Sequence, residues 1–190
     1  MMTRKIIALV LGGALLAASS EGGNAENLWG KLQSEDHFVL IRHALAPGYG
    51  DPNNFDVNDC NSQRNLNPEG RLQSKRIGDL FRSNGVKKAL VFSSQWCRCL
   101  DTARLLALGN VSKLPALNSF FKNLERELSQ TREIRSWIKN APLISPTVLV
   151  SHQVNISSLI GYSPSSGEII FVERKRDGSL SVAGSIQTTN

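Results

Sequence analysis

Phe38-Val39-Leu40-Ile41-Arg42-His43-Ala44 is the stretch on which the reading of this chain turns. An apolar run of aromatic and branched residues stops abruptly at an arginine and a histidine, and the turn residues Pro47, Gly48, Gly50 and Pro52 follow. A short apolar run bounded in this way predicts a buried strand, central in a sheet covered on both faces. Arg42 and His43 then stand at the strand's C-terminal end, where open α/β sheets place their ligand crevices. Arginine's planar fork holds phosphate through two parallel hydrogen bonds. Histidine is largely uncharged near neutral pH and nucleophilic through a ring nitrogen, so it can carry a phosphoryl group. An exposed Arg-His pair at a strand end is the plainer alternative, and the rest of the chain decides between the two.

Around this strand lie 190 residues, enough for one domain with a real core. A hydrophobic content of 41% and a charged content of 20% are those of an ordinary globular protein. The first residues differ. Arg4 and Lys5 precede an apolar run from Ile6 to Ala18, and small and polar residues continue through Ala25. That is the three-part pattern of a secretory signal peptide. Gly23 and Ala25 place small residues where a signal peptidase reads, which predicts residues 1–25 as signal and 26–190 as the domain; cleavage near Ala18 or Ser19 is the alternative. The apolar run is shorter than the roughly 20 residues a spanning helix needs. No cysteine lies beside it for lipid attachment. The expectation is an exported protein, periplasmic or secreted, with no stable membrane insertion after cleavage.

The chain carries 22 basic and 16 acidic residues, a net charge of +6, and loss of Arg4, Lys5 and Glu21 leaves +5. The charges are scattered, with one run at Arg174-Lys175-Arg176. They describe a solvated surface with some attraction for anions, and no nucleic-acid motif accompanies them. Cys60, Cys97 and Cys99 in an oxidising compartment predict one disulfide and one free thiol. Cys60 with Cys97 or Cys99 is expected, because a Cys97–Cys99 ring is strained. Two cysteines one residue apart, without a second pair, make a poor zinc pattern.

Taken in order, a short amphipathic lead-in at Leu28–Leu32 precedes the first strand. Ala44 to Asn67 is rich in Gly, Pro, Asn and Asp, and so long a connection beside the Arg-His pair reads as a wall or lid of a site. Asn67 as N-cap and Pro68 at the first position open a helix that Asn84-Gly85 ends. Ala89–Phe92 is a second strand running into Ser93-Ser94, and a helix follows from about Cys97 or Arg98 to Leu108. Leu114–Phe121 reads as irregular, and Leu124–Lys139 as a helix. Thr147–Ser151 is a third buried strand with His152 at its end. Val154–Ile160 is a short helix, and Gly167–Glu173 and Leu180–Ala183 are strands joined by a turn at Asp177-Gly178. Strands alternating with helices predict an α/β fold of three layers, a mainly parallel central sheet with helices on both faces.

Three strands thus end in groups suited to the same chemistry, namely Arg42-His43, Ser93-Ser94 leading to Arg98, and Ser151-His152. In a parallel sheet these ends share one edge, and phosphoryl transfer asks for such a set, a nucleophile in line with the leaving oxygen and fixed positive groups around the others. The helix start near Arg98 is expected to add backbone donors. The segments Leu40-Ile41-Arg42-His43-Ala44, Leu66-Asn67-Pro68-Glu69-Gly70-Arg71-Leu72-Gln73, Ser93-Ser94-Gln95-Trp96-Cys97-Arg98-Cys99-Leu100-Asp101-Thr102-Ala103 and Leu149-Val150-Ser151-His152 resemble, in order, the motifs of the histidine phosphatase superfamily, the fold of phosphoglycerate mutases and acid phosphatases. The resemblance spans residues 38 to 155.

It implies a phosphoglycerate mutase-like fold and hydrolysis of a phosphate ester or anhydride on a phosphorylated small molecule, or on a phosphoprotein. His43 becomes the nucleophile, with Arg42, Arg98 and His152 forming the rest of the phosphate pocket. Neither cofactor nor metal is implied, since these side chains supply the positive charge. Gln63, Arg64 and Asn155 are further candidates for binding substrate, with a hydrogen-bonded turn or a helix cap as their plainer roles. Trp96 and Tyr49 are candidates to flank the pocket, and His37 reads as structural. The chain departs from the family's pattern at Ala44, at Gln95 and, above all, in its acid. Leu117-Asn118-Ser119-Phe120-Phe121 holds no carboxylate where the mutase-like branch has a glutamate, and His152-Gln153 replaces the His-Asp of the acid phosphatases. Asp51, Asp56, Asp59, Glu125, Glu127 and Glu168 are the alternatives, and the loop's Gly and Pro content fixes none of them. Three readings of function compete: an exported phosphatase; a catalytically weak member that binds a phosphorylated ligand; and a phosphohistidine-protein phosphatase, which the export signal disfavours.

Overall fold

The computed structural model describes residues 28–188. The expected signal sequence and its cleavage site lie outside them. A six-stranded sheet runs in the order β3-β2-β4-β1-β5-β6. Its strands are β1 (His37–Arg42), β2 (Leu90–Ser93), β3 (Val111–Lys113), β4 (Thr147–Ser151), β5 (Ile169–Arg174) and β6 (Leu180–Ile186). β3, β2, β4 and β1 are mutually parallel, whereas β5 and β6 run antiparallel along the other edge. The sheet is therefore mainly parallel, as the alternation of elements predicts.

Period-two geometry explains why β1 is apolar throughout. Val39 and Ile41 face one layer, together with Val148, Val150, Ile169 and Phe171. Phe38 and Leu40 face the other, with Leu149, Ile170 and Val172. Helices α1 (Pro68–Ser83) and α2 (Cys97–Leu105) cover the first face through Ile77, Phe81, Cys99 and Ala103. Helices α3 (Glu127–Asn140) and α4 (Gln153–Ile160) cover the second through Ile134, Ile138, Ile156 and Leu159. The two helices after β1 and β2 thus lie opposite the two after β3 and β4. The chain reverses its direction of travel across the sheet around β4, which leaves a crevice at the C-terminal ends of β1, β2 and β4.

α1 begins as its sequence predicts, the Asn67 side chain accepting the Gly70 N–H at 2.8 Å and Pro68 standing first. Gly70 is required by proximity, since a Cβ there would lie 2.0 Å from the Leu45 carbonyl oxygen. The chain just past His43 can therefore lie directly on the start of α1. Gly78 packs against the Leu106 backbone in the same way, 2.1 Å from its carbonyl oxygen.

Several elements differ from the sequence reading, and β6 runs on to Ile186 past the expected Ala183. α2 stops at Leu105 instead of Leu108, because Ala107 turns left-handed at φ 52° and Arg82 takes the Leu106 carbonyl at 2.7 Å. β3 escapes the pattern because only Val111 of its three residues is partly covered, as suits an edge strand. Leu124–Arg126 forms a 3-10 turn before α3, and Pro115–Leu117 another. Among the described residues no helix is long and apolar enough to cross a membrane.

Candidate active site

His43 follows β1 directly, its N–H bonded to the Ser151 carbonyl at 3.0 Å. Its ring Nδ1 lies 2.8 Å from its neighbour's carbonyl, that of Ala44. A carbonyl only accepts, so Nδ1 carries the proton and Nε2 keeps its lone pair. The backbone around it is fastened by two residues of the family-like segments. Thr102 Oγ1 accepts the Ala44 N–H at 3.0 Å, and Gln73 Oε1 accepts the Leu45 N–H at 2.9 Å while its amide donates to Ser166. Burial, then the charges of Arg98, Arg42 and Arg64, hold His43 well below the ordinary imidazole value, against the pull of the Ala44 carbonyl. The ring is neutral at physiological pH.

His152 N-caps α4 at the end of β4, its ring 5.5 Å from that of His43. Arg98 Nη2 approaches its Nδ1 at 3.4 Å, and Ser94 Oγ lies 2.9 Å from its Nε2. Guanidinium only donates, so Nδ1 holds the lone pair and Nε2–H points at Ser94. That hydroxyl in turn donates to Asn118 Oδ1 at 3.3 Å. Burial, then the charges of Arg98, Arg64 and Arg42, keep His152 neutral as well. Cys99 lies against it, 3.4 Å from Nε2, and burial pushes that thiol up to about 12. Trp96 closes the other side, edge-on to His152 at 5.5 Å and stacked on Phe55 at 4.8 Å.

The four motif residues converge. Arg42, His43, Arg98 and His152 line one cavity of about 420 Å³, with Arg64, Lys122 and Arg126 bringing further positive charge to its wall. Among the described residues Asp51 is the one carboxylate in that wall. Arg98 is buried and grips it as a fork, Nη1 to Oδ1 at 2.6 Å and Nη2 to Oδ2 at 3.1 Å. Partial burial pushes the Asp51 carboxyl up. The Arg98 fork and charge, the Arg64 N–H and the Trp96 indole outweigh that and leave it below the usual carboxylate value.

Several expected residues have other roles. Gln63 is turned away from the cavity, its amide donating to the Asp56 and Val57 carbonyls and its oxygen accepting the Cys97 N–H at 2.9 Å. This also occupies a donor of the α2 start, and the Cys99 and Leu100 N–H groups bond the Trp96 carbonyl, so that helix end offers an anion less than its position suggests. Asn155 is buried and holds the Asn118 carbonyl at 2.8 Å instead of reaching substrate. Arg64 does line the cavity while bracing the loop through the Gly50 and Ala46 carbonyls. Tyr49 does flank the cavity as expected, largely exposed at its mouth beside Phe121. His37 pairs with Asp36 and Ser34 near the opposite end of β1. Cys60 is bonded to Cys97, leaving Cys99 free. Lys122, Arg126 and Phe55 carry no signal in the sequence that marks them for the wall. Asn118 and Ser119 form it where the family pattern has its acid.

The model of the histidine phosphatase superfamily, branch 1, matches residues 38–137, more than half the chain. The chain belongs to that superfamily. Solved histidine phosphatase-type structures share its fold at low identity. The protein histidine phosphatase SixA complexed with tungstate aligns with a TM-score of 0.57 at 15% identity, over 80% of this chain and 97% of its own. A mycobacterial glucosyl-3-phosphoglycerate phosphatase aligns at 0.57 and 14%, over 77% and 96%. Phosphoserine phosphatase from Entamoeba histolytica, in complex with 3-phosphoglyceric acid, aligns at 0.55 and 15%, over 80% and 96%. The serine/threonine-protein phosphatase Pgam5 of Drosophila virilis is 32% identical over 74 residues, 39% of this histidine phosphatase chain. That match takes in 23% of the relative's length.

Proposed function

We propose that the protein is an exported phosphatase that hydrolyses a phosphate ester or anhydride through a phosphohistidine intermediate on His43. The observation that carries this reading is the state of His43, buried and neutral, with Nδ1–H tied to the Ala44 carbonyl. Its Nε2 lone pair is left to act in a cavity walled by arginines. In the first half-reaction Nε2 attacks phosphorus while the leaving oxygen departs on the opposite side. In the second, water displaces the histidine. Arg42 and Arg98 neutralise the equatorial oxygens, the role a metal ion has in other phosphoryl-transfer sites. His152 contributes once an anionic phosphoryl group raises its affinity for a proton, so that Nδ1 donates a hydrogen bond. The named activities of the structural relatives span phosphate on nitrogen and on oxygen, and a phosphorylated small molecule is the substrate class we favour.

The decisive comparison uses 4-nitrophenyl phosphate. His43→Ala should reduce turnover by at least about 10⁴-fold, the loss seen when a covalent nucleophile is removed, and EDTA should leave the unsubstituted protein's rate as it was. Loss of activity to the chelator, or its persistence without His43, refutes the assignment. A second reading, a weakly catalytic protein that binds phosphorylated ligands, is favoured by one observation: an amide at Asn118 where the family pattern has its acid.

A further inference from the structure

The phosphate pocket of the proposed enzyme contains a carboxylate that imitates its ligand. Asp51 presents two oxygens to the two terminal nitrogens of Arg98, at 2.6 and 3.1 Å, the fork-on-fork contact a phosphoryl group makes with arginine. Other bonds anchor it apart from Arg98. The Trp96 indole donates to Oδ2 at 3.1 Å, the Arg64 N–H to Oδ1 at 3.2 Å, and Lys122 holds the Asp51 backbone carbonyl at 2.6 Å. Gly48 and Gly50 precede it at φ 96° and 65°, left-handed positions that other residues rarely adopt. Trp96 and Arg64 thus bond the carboxylate, and Lys122 its backbone, through contacts separate from Arg98.

The remaining carboxylates with a claim to act on the leaving group are placed elsewhere. Asp56 accepts the Asn58 N–H at 2.8 Å, and Asp59 accepts that of Asn61 at 2.9 Å, both capping turns of the loop. Glu168 is buried against the Tyr162 hydroxyl and the Ser165 N–H. Glu125 and Glu127 do not line the cavity.

We infer that Asp51 is the proton donor and acceptor of the reaction proposed above: an incoming phosphoryl group takes Arg98 from it, and the displaced carboxylate serves the leaving oxygen. Without Arg98 it faces an anionic oxygen, and two like charges at such a distance share a proton. That proton comes with the phosphoryl group, whose second ionisation lies near pH 6 to 7, about 6 in protein phosphates. As the His43 Nε2–P bond forms, the P–O bond breaks with its electron pair and the Asp51 proton passes to that oxygen. Water then attacks phosphorus, Asp51 takes its proton, and the N–P pair returns to Nε2. Asp51 ends the cycle protonated, ready to release its proton and rebind Arg98 as phosphate leaves.

The experiment compares 4-nitrophenyl phosphate with glycerol 2-phosphate in the purified protein, Asp51→Asn, Asp51→Glu and His43→Ala. Asp51→Asn should lower kcat on the alkyl ester by about 10²–10⁴, with a fall on the nitrophenyl ester at least about tenfold smaller, since nitrophenolate leaves without a proton. Asp51→Glu should recover part of the alkyl activity. Orthovanadate should inhibit Asp51→Asn about tenfold more tightly, because a charged competitor for Arg98 has gone. Opposite changes in oxyanion affinity and alkyl turnover are not produced by a merely distorted loop. Equal losses on both esters, weaker vanadate binding, or an unsubstituted protein that hydrolyses only the aryl ester each overturn the proposal. Retained turnover in His43→Ala sinks the underlying phosphatase reading instead.

Discussion

His43 and His152 are both buried as neutral rings, and that leaves a mark on stability. In the unfolded chain each protonates near 6.5; in the fold each does so well below that. The unfolded state therefore binds more protons as the pH falls through 6.5. Stability is complete above that pH and declines on the acid side, by up to about 1.4 kcal/mol per pH unit for each ring. Urea midpoints measured from pH 7.5 to 5.5 should fall accordingly, and the slope should be about halved in His152→Gln. A midpoint that is flat across this window contradicts the buried neutral pair. Strand ends and motif order together predict that these two histidines and Arg98 meet at one sheet edge, and in the fold they line one cavity. The same signals do not foretell which aspartate joins them, since only three-dimensional placement separates Asp51 from the turn-capping Asp56 and Asp59.

At the scale of elements, the connection between β1 and α1 is a wall built from its own hydrogen bonds. Ser62, Gln63 and Arg64 bond back to the carbonyls of Ala46, Gly50, Asp56 and Val57. The Cys60–Cys97 disulfide then fastens this wall to the residue before Arg98. With 37 residues separating the two cysteines, chain-entropy reasoning assigns the cross-link about 4 kcal/mol. Reduction, or Cys60→Ser, should lower the denaturation midpoint and raise KM for 4-nitrophenyl phosphate more than it lowers kcat, because the loop does not carry the nucleophile and nitrophenolate leaves without the proton inferred to come from Asp51. Thiol titration under denaturing, non-reducing conditions should count one thiol, that of Cys99; three would contradict the cross-link. The sequence pattern left Cys97 and Cys99 as equal partners for Cys60, since both lie near the start of α2. Packing separates them: the Cys99 side chain turns inward to His152 and the first core layer.

For the whole molecule, export is the reading that lies furthest from the fold. Residues 1–25 have the composition of a signal peptide, and we propose that the protein acts outside the cytoplasm, beginning near Glu26. Amino-terminal sequencing of the protein recovered from the extracytoplasmic fraction should read Glu26 first; an intact Met1, or recovery only from the cytoplasm, contradicts it. Within the described residues, the order of strands and helices was legible in the sequence because apolar runs and turn residues record local periodicity. So were Asn67 and Pro68 at the start of α1, and the placement of Arg42, His43 and His152 at strand ends and of Arg98 at the helix start after β2, which a parallel sheet brings to one edge. Local signals end there. β3 went unseen because an exposed edge strand has little apolar pattern, and Gln63 and Asn155 turned from substrate to scaffold because hydrogen-bond partners distant in sequence claimed them. The same holds for the site's charge balance. One arginine held between a carboxylate and a histidine is a matter of distances across residues 51, 98 and 152, which chain order does not contain and packing alone sets.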